Sequence, residues 1–205
     1  MKTYRWLSLA APLTCLLAGA CAAPDSVDRS GPAEPQDAPS EALSLEGWGS
    51  ETIELPPGFA PELPRGVESL LFAPGWREAG AEDHWSYVFA MWIEDFDADV
   101  ESLDAMLEQY YDGLMSAVAQ GADRDIGTDS AQVEVQRTGA GRFEAQIEMI
   151  DSFGDFEPIA LNMRIESAAA GERTLLRIQA SPQGQDHPIW STLAAAVAGI
   201  EAPAE

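Results

Sequence analysis

His84-Trp85-Ser86-Tyr87-Val88-Phe89-Ala90-Met91-Trp92-Ile93-Glu94 is the stretch on which the fold turns. Trp85, Tyr87, Phe89, Met91 and Ile93 alternate onto one face, and Val88, Ala90 and Trp92 onto the other. A period of two is a strand, and apolar residues on both faces require cover on both sides. Residues 84–94 are therefore predicted to form a central strand with a packed layer above and below it.

The layers must come from the rest of the chain. Val100, Leu103, Leu107, Tyr110, Leu114 and Val118 fall on one stripe, which Met106, Tyr111 and Met115 widen. This predicts a helix over 100–120, capped by Asp97 or Asp99 and stopped at Gly121. A second helix is predicted near the end, capped by Asp186 with Pro188 in its first turn. Its apolar side is Ile189, Trp190, Leu193, Val197 and Ile200. Around these lie strand patterns at 51–55, 69–73, 131–137, 143–150, 158–167 and 174–181. The loop Thr138-Gly139-Ala140-Gly141 joins two of them as a hairpin. The expected order is β-β-β-α-β-β-β-β-α. Consecutive hairpins imply a mostly antiparallel β-sheet packed with two helices, an α+β domain. The opening Thr52-Ile53-Glu54-Leu55-Pro56-Pro57-Gly58-Phe59 and the closing Trp190 helix resemble the PsbP-like fold. That resemblance implies an exported protein and a non-catalytic role.

Upstream of this body the pattern changes twice. Lys2 and Arg5 precede an apolar stretch from Trp6 to Leu17, broken by Pro12. Leu17-Ala18-Gly19-Ala20-Cys21 follows. Charge, a short apolar run and small residues make a secretory signal peptide over 1–20. The small residues before Cys21 resemble the lipobox of bacterial lipoproteins, with Ala18 where that family usually has Leu. The resemblance implies a lipid on Cys21, and Ala22 after it implies sorting to the outer membrane, facing the periplasm. Ala18-Gly19-Ala20 also reads as an ordinary cleavage site, which would make a secreted soluble protein. Residues 21–46 carry Pro24, Pro32, Pro35 and Pro39 among Ala, Ser, Asp and Glu, the composition of a linker. The folded domain is expected over 47–203.

Charge and cysteine usage exclude several functions. The 205 residues hold 35 acids and 11 basic residues, a net charge of −24. Between Gly47 and Pro203 the balance is 28 acids against eight arginines. Such a surface repels nucleic acid. Lys2 is the only lysine and leaves with the signal, so Schiff-base and phosphate-loop lysines are excluded. Cys15 leaves likewise, which removes thiol catalysis from the body and any intrachain disulfide.

Few motifs carry chemistry. His84 lies beside Glu82 and Asp83, and His187 beside Pro188. Either could act as a general base, and either fits a polar element end. No G-x-S-x-G is present. Asp95, Asp97, Asp99 and Glu101 have the spacing that opens a calcium loop. The sixth place is Val100 and the twelfth Met106, where that loop needs Gly and Glu. The run therefore fails as an EF-hand and reads more simply as helix-entry charge, with no metal expected and these four acids as the candidates for one. The same holds for Asp123 and Asp125. No cofactor-binding motif stands in the chain. Trp48 and Trp76 sit in loops rich in Gly and Pro, where they could form a partner surface or fold back over the sheet. The expected function is a lipid-anchored envelope domain of non-enzymatic, protein-binding role. The alternatives are a small-molecule or Ca²⁺ binding module and, third, a small hydrolase.

Overall fold

The computed structural model describes residues 45–127 and 130–202. The elements are β1 (Gly49–Leu55), β2 (Gly66–Phe72), β3 (Tyr87–Glu94), α1 (Val100–Gly121), β4 (Gln132–Gly139), β5 (Arg142–Ile150), β6 (Pro158–Ala170), β7 (Arg173–Ser181) and α2 (Ile189–Ala198). The class is α+β, with one seven-stranded sheet ordered β1-β2-β3-β7-β6-β5-β4. Every neighbouring pair is antiparallel. The chain path explains the order. β1, β2 and β3 form a meander, and α1 then leads to the opposite edge, where β4 begins. Strands β4 to β7 meander back until β7 pairs with β3, so Phe89 faces Ile178 across the middle of the sheet.

β3 is buried from Tyr87 to Ile93, as its two apolar faces require. It starts three residues later than its pattern because Trp85 takes a left-handed φ of 52°. A bulky residue rarely adopts that region, and it bends the chain out of the ladder. The Trp85 ring still lies in the same core as Phe89. β2 begins three residues earlier than its pattern, at Gly66. A Cβ on Gly66 would stand 2.1 Å from the Trp92 carbonyl oxygen, so only glycine fits there.

α1 opens on Asp99, whose carboxylate accepts the Ser102 N–H at 2.8 Å. Its buried residues are Leu103, Met106, Leu107, Tyr110, Tyr111, Met115 and Ala119, whereas Val100 is exposed. Six of the nine residues predicted for this face are therefore buried, Leu114 and Val118 are partly buried, and Ala119 joins them. The β1–β2 connection packs on the same helix. Phe59 meets Tyr110 edge-on with ring centroids 5.4 Å apart, and a Cβ on Gly113 would lie 2.1 Å from the Phe59 carbonyl oxygen. The helix also runs through Gly121 rather than stopping before it. The left-handed position falls on Asp123, at φ 55°.

α2 is preceded by Pro188, and His187 supplies its capping acceptor in place of Asp186. The Ile189 N–H donates to His187 Nδ1 at 3.2 Å. The β4–β5 loop tightens to Ala140-Gly141, with Gly141 at φ 63° and a register irregularity between Arg137 and Gly139.

The two faces of the sheet are covered unequally. Under α1 a core draws on all seven strands, including Leu55, Leu70, Phe89, Val135, Ile147, Met163 and Ile178. Under α2 a smaller core holds Val88, Ala90, Trp92, Leu175, Trp190, Leu193 and Val197. α2 packs on β3 and β7. On β4 and β5 the same face carries Gln132, Glu134, Gln136, Gln146 and Glu148, all exposed. Half of this face is therefore open to solvent, a common state for antiparallel strands.

Candidate functional site

The open half-sheet carries a groove of about 220 Å³. Glu134 and Gln136 reach it from β4, Glu144 and Gln146 from β5, Asn162 from β6 and Gln185 from the β7–α2 connection. Strand register places them. Glu134 faces Gln146, Gln146 faces Asn162, and Gln136 faces Glu144. Alternation then points these residues one way while Val135, Ala145, Ile147, Leu161 and Met163 point into the core.

One wall is held by a polar network. Arg164 donates through Nε to Gln185 Oε1 at 2.8 Å and through Nη2 to the Gln185 carbonyl at 2.7 Å. Its guanidinium lies 4.6 Å from the centre of the Trp190 ring. Trp190 Nε1 donates to the Gly184 carbonyl at 2.8 Å, and Asn162 Nδ2 to the Gln183 carbonyl at 3.2 Å. These bonds fix the 183–185 segment against the sheet. Gln136 Nε2 donates to Glu144 Oε2 at 3.3 Å. Gln179, cross-strand from Arg164, is buried, and its Oε1 has no partner among the described residues.

The residues singled out in the sequence fall elsewhere. Cys21, the signal peptide and the linker up to residue 44 lie outside the described residues. Trp48 is half-buried against the α2 core. Trp76 stacks on Phe72 at 4.8 Å and meets Phe153 edge-on at 5.6 Å, under the Arg77 guanidinium. Phe72 and Phe153 pack on the α1 core, so the two tryptophans join different apolar clusters. Of the acids at 95–101, Asp99 caps α1, and hydrogen bonds from Ser102 hold its carboxyl below the usual range. Asp95 sits at the strand end with φ 49°. Among the described residues no three Asp, Glu, His or Cys side chains gather as metal ligands. The His84 N–H donates to the Ala81 carbonyl at 3.2 Å, in a turn of the β2–β3 connection. No helix among the described residues is long and apolar enough to cross a membrane.

A second polar feature lies in the core, away from the groove. Glu68 on β2 is fully buried and faces α1. The Tyr110 hydroxyl donates to both its carboxylate oxygens at 3.2 Å. The Tyr87 and Tyr111 hydroxyls bond to each other. No cation pairs with Glu68 among the described residues. Loss of hydration pushes its carboxyl up to about 8; the Tyr110 bond opposes this, and the negative charge of Glu51 adds to it. Burial also raises the tyrosine hydroxyls well above their ordinary value. A strongly shifted carboxyl in a cleft is a candidate acid or base. Glu68 is sealed from solvent, so this one belongs to the energetics of folding.

The groove was missed in the sequence, although a signal was there. Six of the nine glutamines, and the only asparagine, lie after residue 130, where outward strand positions alternate with core ones. Compared with family models, with curated proteins and with solved structures, the chain matches none.

Proposed function

We propose that this chain is a lipid-anchored domain of the cell envelope with a non-enzymatic, binding role, and that the open half-sheet is its recognition face. The observation that supports this is the unequal cover of the sheet. One face is sealed under α1, while on the other α2 stops at β3 and β7 and leaves a polar groove held in shape by Arg164, Gln185 and Trp190. An anchored domain can hold an envelope protein or a small ligand. The groove favours the small ligand, because its polar groups converge from three strands and one loop.

Cys21→Ala tests the anchor. Each buried CH₂ of an acyl chain contributes ~0.8 kcal/mol, and two or more chains are needed for stable membrane binding. The variant should move from the membrane pellet to the soluble fraction, with the melting temperature of the body unchanged. A variant that stays in the pellet would refute lipidation at Cys21.

A further inference from the structure

The side chains around the groove differ from the rest of the surface. The chain is acidic throughout, with 35 acids among 205 residues. Yet four of the seven residues that line the groove are carboxamides, Gln136, Gln146, Asn162 and Gln185. A face that only had to be wetted needs no carboxamides, since carboxylates hydrate better. A carboxamide offers two donors and an acceptor in one plane, and the two carboxylates, Glu134 and Glu144, add acceptors. Gln146 and Glu134 make no side-chain hydrogen bond among the described residues and are free to turn to a ligand.

Four classes of ligand fit poorly. The two carboxylates repel phosphates, nucleic acids and anionic headgroups, and the neighbouring Arg164 is already engaged by Gln185 and Trp190. A lipid tail finds little apolar wall, since Ala145 is the one apolar residue among those lining the groove and its side chain turns into the core. A large protein interface finds too little room. Over the eight residues of β4 the three strands make a footprint of about 14 by 27 Å, about half of the ~800 Å² that each partner gives to a standard interface. An extended peptide would pair with the free edge of β4, in the plane of the sheet, whereas the groove crosses β4, β5 and β6 on their face. What remains is a small polar molecule without negative charge, rich in paired donors and acceptors, and the predominance of carboxamides over carboxylates favours a neutral one.

We propose that the groove binds a neutral saccharide, with Gln146, Asn162 and Glu134 hydrogen-bonding its ring hydroxyls and the Arg164–Gln185 pair forming a fixed wall. This rests on the small-ligand reading of the open half-sheet. The test uses the full chain bearing Cys21→Ala and labelled with ¹⁵N, so that side-chain NH₂ signals are read directly. The probes are glucose, N-acetylglucosamine and their β-linked disaccharides. Glucuronate and an uncharged serine–glycine hexapeptide serve as controls. The expected result is saturable movement of the Gln146 and Asn162 signals by at least one neutral sugar, with a Kd in the millimolar range and about tenfold weaker binding in Gln146→Ala. The Gln146 side chain makes no hydrogen bond among the described residues, so that variant is expected to keep its structure, and an unchanged amide spectrum elsewhere checks it. Three outcomes overturn the proposal: no saturable shift up to about 100 mM sugar, an equal response to glucuronate, or movement confined to β4 backbone amides with the peptide. Any of these leaves the anchored reading untouched, since that stands or falls on the fractionation of Cys21→Ala.

Discussion

Replacing Glu68 with glutamine should make the domain more stable at pH 8 and less stable at pH 4.5, so that the two stability curves cross. The cause is the cost of holding this carboxyl in the core. Its value rises from 4.5 in the unfolded chain to about 8 in the folded one. Between these limits the folded state binds more protons than the unfolded state, so stability falls as pH rises. It is fully present below pH 4.5 and lost by pH 8, at ~1.4 kcal/mol for each pH unit, or about 5 kcal/mol across the window. Glutamine carries no charge and removes that slope. It leaves an amide N–H₂ in the core near Tyr110, at a cost of about 1–3 kcal/mol at every pH. The variant should therefore gain about 2–4 kcal/mol at pH 8 and lose about 1–3 kcal/mol at pH 4.5. Urea melts of both proteins across this range check it. Parallel curves would mean that Glu68 is hydrated and ionised like a surface acid.

Gly113→Ala should destabilise the domain by about 1–3 kcal/mol, against the usual rule for helices. In an open helical position alanine gains about 1 kcal/mol over glycine. Here the added Cβ would stand 2.1 Å from the Phe59 carbonyl oxygen and 2.9 Å from its carbon, both backbone atoms that cannot turn aside. The β1–β2 connection would have to lift off α1, loosening the Phe59–Tyr110 contact over Glu68. Gly121→Ala is the control, because a Cβ there meets nothing within 4 Å. Thermal melts should separate the pair by several degrees in opposite directions. A stabilised Gly113→Ala would place the connection away from the helix.

Much of this architecture was legible because hydrophobic period is a local signal. Phe89, Met91 and Ile93 against Val88 and Ala90 specified a strand covered on both sides, and Leu103 and Leu107 specified a helix. What was not legible depended on contacts between distant segments. Phe59, over 40 positions before the helix, packs on Tyr110 of α1, a contact that no local pattern reports. Trp85 fitted the strand pattern and left the strand through its backbone angle, which side-chain alternation does not report. Glu68 shares its face with Leu70, yet a carboxylate is read as solvated until its neighbours are known. The groove was hidden for a related reason. Gln136, Gln146 and Asn162 looked like ordinary outward positions, and only the sheet order sets β4, β5 and β6 side by side with no helix above them. Trp48 and Trp76, set in loops rich in Gly and Pro, were open to two readings, a partner surface or packing back on the sheet, and each packs on a core.

The recognition face is tested most directly by footprinting in the intact envelope. Lys2 is the only lysine, so if residues 1–20 are removed as proposed, one introduced lysine is a unique side-chain amine. Gln136→Lys places it in the groove, where it can keep its contact with Glu144. Gln109→Lys places it on the exposed side of α1. Both anchored variants are treated with an amine-reactive reagent, first in whole envelopes and then after extraction. The expected result is slow labelling at position 136 in the envelope, fast labelling there after extraction, and fast labelling at 109 in both. Equal labelling of the two positions in the envelope would contradict a recognition role for the open half-sheet.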